Sequence, residues 1–102
     1  MTQKKFESEF KKVLKEYGIN VYREYDRLHA QPMTNLGELF ISCNDGWISM
    51  RFAPENFSIS KFYAKFSESE PINKWSYKYN IHTHDKEDCI LELDSRLNAL
   101  MR

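Results

Sequence analysis

The hydrophobic positions at the two ends of the chain follow the spacing of amphipathic helices. Between residues 3 and 17 they recur every three or four positions, at Phe6, Phe10, Val13, Leu14 and Tyr17. Thr2 is the predicted N-cap of this helix and Gly18 its predicted end. A second stripe runs from about residue 86 to 101, through Ile90, Leu93, Leu97 and Leu100. Asp85 or Thr83 is its predicted cap. The pattern predicts two terminal helices, each with one apolar face to bury.

The stretch from Glu38 to Phe52 has the alternation of a β-hairpin closed at Asp45-Gly46. Asp-Gly between two apolar runs favours a two-residue type I′ turn, which needs positive φ at both central residues. This turn predicts three apolar cross-strand pairs on one face, namely Cys43–Ile48, Ile41–Met50 and Leu39–Phe52. The other face would carry Phe40, Ser42, Asn44, Trp47, Ser49 and Arg51. A slip of one residue would mix apolar and polar side chains on both faces.

Two further stretches alternate like strands. Residues 74–82 do so clearly, with Trp75, Tyr77, Tyr79 and Ile81 on one face. Residues 19–29 are rich in β-branched and aromatic side chains, which favours a strand after Gly18, with a helix as the alternative. Breakers predict loops at residues 30–37 and 67–73. Residues 53–66 are harder to interpret, and we expect a turn at 53–56, an extended piece near 57–60 and a short helical segment near 61–67.

Together these elements predict a single α+β domain over residues 1–102. We expect an antiparallel sheet of three to five strands, with the N-terminal and C-terminal helices packed on the same face of it. A sheet with one apolar face needs a cover, and two amphipathic helices can supply it.

This arrangement leaves the opposite face of the sheet open to solvent or to a partner. The hairpin register places Phe40, Trp47 and Arg51 there, and alternation along the first strand adds Tyr22. Trp, Tyr and Arg are enriched at binding hot spots, so these four residues are the predicted partner-binding site. The alternatives are that Trp47 folds over a loop edge, or that residues 53–66 cross back and bury it.

Composition and charge limit the classes of partner. The 15 basic residues balance 15 acidic ones, which argues against a general nucleic-acid binder because such proteins need a basic field. No run approaches the roughly 20 apolar residues that span a bilayer, and the polar start predicts no signal peptide. The two cysteines, Cys43 and Cys89, are predicted to be buried free thiols in a reducing compartment. The expected location is the cytoplasm.

Catalytic signatures are weak. His82 and His84 would point to the same side of a strand and could hold a metal ion, with Asp85, Asp88 or His29 as further ligands. A polar strand-to-helix junction explains the same residues. The three glycines are too far apart for a phosphate-binding loop. We therefore expect no catalytic residue, no metal site and no cofactor.

The sequence favours a small non-enzymatic protein-binding domain, acting as an inhibitor, adaptor or accessory factor. Some proteins of this kind are encoded by phages or mobile elements and act by blocking a molecular machine of the host. The partner would be another protein, or a second copy in a homodimer, at Tyr22, Phe40, Trp47 and Arg51. Two alternatives remain, namely single-strand nucleic-acid binding through the open sheet face and metal-dependent catalysis at the His82/His84 junction.

Overall fold

A computed structural model describes the backbone of residues 1–32, 39–52, 70–73 and 76–101. Within these described ranges the chain forms two helices and six strands. In chain order these are α1 (Gln3–Glu16), β1 (Ile19–Glu24), β2 (Arg27–Pro32), β3 (Leu39–Cys43), β4 (Ile48–Phe52), β5 (Glu70–Asn73), β6 (Ser76–Ile81) and α2 (Lys86–Met101). Neither helix has the length and apolar character needed to cross a bilayer in the described part of the chain.

Both terminal helices begin where the sequence predicts. The Thr2 side chain accepts a hydrogen bond from the backbone N–H of Lys5, which makes it the N-cap of α1. The Asp85 carboxylate accepts one from the backbone N–H of Asp88 (2.9 Å) and caps α2 in the same way. These side chains satisfy donors that the first helical turn leaves without an intrahelical partner. Gly18 follows α1 with a φ of +70°, and the chain enters β1 directly.

Residues 19–32 form a tight hairpin, which corrects the predicted single strand and the predicted loop from residue 30. β1 and β2 pair antiparallel through to Glu24 opposite Arg27, so the turn contains only Tyr25 and Asp26. Tyr25 has a φ of +58° and its side chain is 92% exposed. Glycine and asparagine are the usual residues at such a position. A tyrosine gives no sequence signal for this turn, which explains why the pattern did not reveal it.

The central hairpin has the predicted register. Cys43 pairs with Ile48, Ile41 with Met50, and Leu39 with Phe52. The turn differs from the expected type I′, because φ is positive at Gly46 (+83°) but not at Asp45. The loop length, and with it the pairing register of the two strands, is still the predicted one.

We expect Gly46→Ala to lower the free energy of unfolding by about 1–2 kcal/mol, because an L-residue is strained at positive φ. The nearest atom to an added Cβ would be Lys86 Cε at 3.6 Å, an ordinary contact, so the loss would come from the backbone alone. Urea denaturation monitored by circular dichroism measures it. An unchanged midpoint would show that the turn relaxes to another geometry without cost.

The six strands form one antiparallel sheet in the order β1-β2-β3-β4-β6-β5. The α+β class and the two terminal helices are confirmed, but the sheet has one strand more than the predicted upper limit. Two of the six strands, β2 and the short β5, were not predicted as separate strands. β5 lies where a polar loop at residues 67–73 was predicted. The predicted strand at 74–82 is confirmed in outline as β6. The predictions for residues 53–66, and for Trp75, lie outside the described residues.

One hydrophobic core joins the helices to one face of the sheet. Its largest members include Phe6, Phe10 and Leu14 from α1, Leu93 and Leu97 from α2, and Leu28, Leu39, Ile41, Ile48, Met50 and Ile81 from the strands. The helices also contact each other, because the Tyr17 hydroxyl donates to the carboxylate of Asp94 (2.9 Å). The core therefore covers one face of the sheet. In each strand the residues between these core positions lie on the opposite face.

Candidate interaction face

The side of the sheet away from the helices carries a continuous cross-strand row of side chains. The registers place Tyr22 opposite His29, His29 opposite Ser42, Ser42 opposite Ser49, and Ser49 opposite Asn80. A second row, one pleat further along, pairs Phe40 with Arg51. We call this surface the open face.

Three ring contacts lie on the open face, each between neighbouring strands. Tyr22 stacks on His29 across β1 and β2, with ring centroids 5.7 Å apart. The Arg51 guanidinium lies 5.5 Å from the centroid of the Phe40 ring across β3 and β4. Trp47 stacks on His82 at 4.9 Å, one position beyond the Ile48–Ile81 pair of β4 and β6. Contacts of this kind between cross-strand neighbours hold each ring in a defined orientation.

A groove of about 410 Å³ crosses the open face from β1 to β4. Its floor contains the two serines of the central row, Ser42 and Ser49, and its walls are the larger side chains of Tyr22, His29, Phe40 and Arg51. Ala30, Ile41 and Met50 also line it although their residues are buried, so their backbone contributes to the floor. Small residues between large ones leave a depression, and its volume lies in the range of ligand and side-chain pockets.

Among the described residues that line this groove, Arg51 is the one with a permanent charge. Its side chain is exposed, and none of the ion pairs among the described residues includes it. The described part of the groove lining contains no carboxylate. By contrast, Arg23 on the helix side is paired with Glu7 at 2.9 Å. The groove is therefore a positively charged, ring-lined depression.

The structure brings three of the four predicted site residues to the groove, namely Tyr22, Phe40 and Arg51. Trp47 lies outside the groove lining and contacts His82 instead. It is half-buried, and 40% of the Tyr22 side chain is exposed. The site prediction missed His29, because its place opposite Tyr22 depends on the Tyr25–Asp26 turn. The sequence offered His82 only as an alternative metal ligand and did not predict its stacking contact with Trp47.

The metal alternative gains no support from the geometry. His82 and His84 are both exposed, and no group of three or more His, Cys, Asp or Glu side chains in the described part of the chain could hold a metal ion. Stacking of the His82 ring on Trp47 explains its position without a ligand role.

Both thiols are buried and free, as predicted. Burial raises the pKa of Cys43 to about 12 and the pKa of Cys89 to about 11. Cys89 also contacts the Ile81 carbonyl oxygen at 3.6 Å through its sulfur. Nucleophilic cysteines have the opposite properties, a lowered pKa and an accessible sulfur. The two thiols therefore act as core side chains.

Comparison with known proteins adds no relative to this description. No family model, curated protein or solved structure matches the chain. The functional interpretation accordingly depends on the open face itself.

Proposed function

We propose that this chain is a small non-enzymatic protein-binding domain and that the open face is its binding surface. One observation carries the proposal, namely two stacked ring pairs and one guanidinium–ring contact on a sheet face that the core does not use. Preoriented aromatic and arginine side chains lose little conformational entropy on binding, which is why they dominate hot spots. Tyr22, Phe40, Trp47 and Arg51 are the proposed contacts, with His29 added by the structure.

The chemistry of the described residues supports binding over catalysis. The thiols have raised pKa values and lie in the core. The described lining of the groove contains rings, hydroxyls and one guanidinium, and these groups recognise a surface but do not form an acid–base pair of carboxylates. An inhibitor, adaptor or accessory factor would fit this chemistry. The cytoplasm is the proposed location, supported by two free thiols.

The test compares Trp47→Ala with Tyr25→Ala in affinity capture from lysate, followed by titration of the captured protein in purified form. We expect Trp47→Ala to weaken binding by about 2 kcal/mol or more, roughly 30-fold, because a half-buried ring on the face is lost. Tyr25→Ala removes a fully solvated ring from the turn and should leave the affinity unchanged.

Circular dichroism and urea denaturation must first show both variants folded. Unfolding of Trp47→Ala would place Trp47 in the fold rather than in the binding surface. Equal capture by both variants would count against the open face. Analytical ultracentrifugation separates a foreign partner from a homodimer, because a second copy bound at this face would make the molecular mass depend on Trp47.

A further inference from the structure

The groove on the open face has a positively charged side chain in its lining. Arg51 contributes a full positive charge, and the remaining lining groups are the rings of Tyr22, His29 and Phe40, the hydroxyls of Ser42 and Ser49, and backbone. None of the described residues that line the groove is acidic, so none of them balances the guanidinium. An anionic group from outside would satisfy that guanidinium, and arginine binds carboxylates through two parallel hydrogen bonds.

The position of Arg51 prepares it for this role. Its guanidinium lies beside the Phe40 ring, 5.5 Å from the centroid, while the side chain remains exposed. Stacking on a ring restricts the rotamers of a long side chain before any ligand arrives, so less entropy is lost on binding. The neighbouring floor of Ser42 and Ser49 has room for an apolar side chain between the aromatic walls.

Resting on the proposed function, we infer that the partner presents an acidic peptide segment to this groove. A carboxylate of Asp or Glu binds Arg51, and a neighbouring aromatic or long aliphatic side chain fills the space above Ser42 and Ser49. The groove volume of about 410 Å³ suits this small unit rather than a helix, which would need a longer channel.

A single-stranded nucleic acid also offers an anion next to a ring, but the open face suits it less well. Backbone tracking requires several cations in a line, and among the described residues that line the groove Arg51 is the one permanent cation. The rings also have a face covered already, because Tyr22 stacks on His29, Trp47 on His82, and Arg51 lies over Phe40. The zero net charge adds no general attraction for phosphates.

The experiment selects short random peptides on the folded protein by display and then titrates synthetic copies of the enriched sequences. We expect enrichment of Asp or Glu within two positions of an aromatic, Leu or Met residue. Arg51→Glu should weaken binding of such a peptide by about 30-fold or more, and Arg51→Lys by less, because lysine keeps the charge but not the paired geometry.

Lys4→Glu is the matched control. It makes the same change in net charge at an exposed position on α1, in the helical layer that covers the other face of the sheet. Its affinity should stay within about twofold of wild type, since exposed charges more than a Debye length apart are largely screened at physiological salt. Equal weakening by Lys4→Glu and Arg51→Glu would show a general charge effect and overturn the inference.

The remaining outcomes are also decisive. If the enriched peptides lack acidic residues, the inference of an acidic partner is overturned. If Trp47→Ala still abolishes binding of those peptides, the open face remains the binding surface. No enrichment at all would overturn the peptide inference and leave the proposed function to the capture experiment. Salt-sensitive binding of short oligothymidine or oligouridine that Arg51→Glu removes would replace the peptide with a nucleic acid.

Discussion

Leu97→Ala is expected to lower the free energy of unfolding by about 2–5 kcal/mol, as truncation of a fully buried leucine does. Leu97 has no exposed surface and lies in the core that joins α2 to the sheet. The loss combines the transfer free energy of the deleted atoms with the cavity that remains. A small domain is stable by only about 5–15 kcal/mol, so this variant should unfold at a much lower urea concentration.

Leu91→Ala is the control on the same helix. The Leu91 side chain is 68% exposed, so the identical chemical change should alter the unfolding free energy by no more than about 0.5 kcal/mol. The comparison cancels helix propensity, because both variants replace leucine by alanine inside α2. A loss below about 1 kcal/mol for Leu97→Ala would mean that α2 does not dock on the sheet through this face.

Alkaline pH should destabilise the domain through its two thiols. In the folded protein, burial raises the pKa of Cys43 to about 12 and that of Cys89 to about 11, whereas an unfolded cysteine titrates near 9.0. Between pH 9 and 11 the unfolded chain therefore loses protons that the native state keeps. Since the native state binds more protons, stability falls as pH rises, by up to about 1.4 kcal/mol per pH unit for each thiol.

The matching variant is the double substitution Cys43→Ala with Cys89→Ala. Its stability at neutral pH will be lower, because two buried side chains are shortened, but its slope between pH 9 and 11 should be shallower. Comparing slopes removes the contribution of the tyrosines, which titrate in the same range in both proteins. Urea denaturation at each pH gives the values. Parallel slopes for the two proteins would show that the thiols ionise as readily in the native state as in the unfolded chain.

The parts of the fold that follow from strict periodicity were predictable. The register of β3 and β4 is an example, because a two-residue loop alone put Leu39, Ile41, Met50 and their partners on one side. The α2 stripe is another, and its Glu92–Arg96 pair forms as the spacing indicates (2.8 Å). In both cases one face is buried, so a shift by one residue would expose the whole apolar set.

Elements whose signal lies in tertiary contacts were not predictable. The positive φ in the turn falls on Tyr25, which gives no turn signal, so the first part of β2 was assigned to the preceding strand and the rest to a loop. β5 contains Pro71 and has polar neighbours in the sequence, so the sequence alone predicts a loop there. The segment is a strand because it pairs with β6. The groove also depends on which strands are neighbours, because His29 and Ser42 come together only through the pairing of β2 with β3.

The strand order has a consequence for the chain while it is being synthesised. Residues up to β4 can form a meander of consecutive antiparallel strands, but the neighbour of β4 on its far side is β6, which comes after β5. Until β6 arrives, β4 is the last strand of a partial sheet, with unpaired N–H and C=O groups along one edge. Exposed edges recruit other chains. Ser49 and Arg51, which alternate with the apolar residues of this strand, interrupt its hydrophobic run, and a polar or charged residue at such positions lowers the tendency of nascent strands to aggregate.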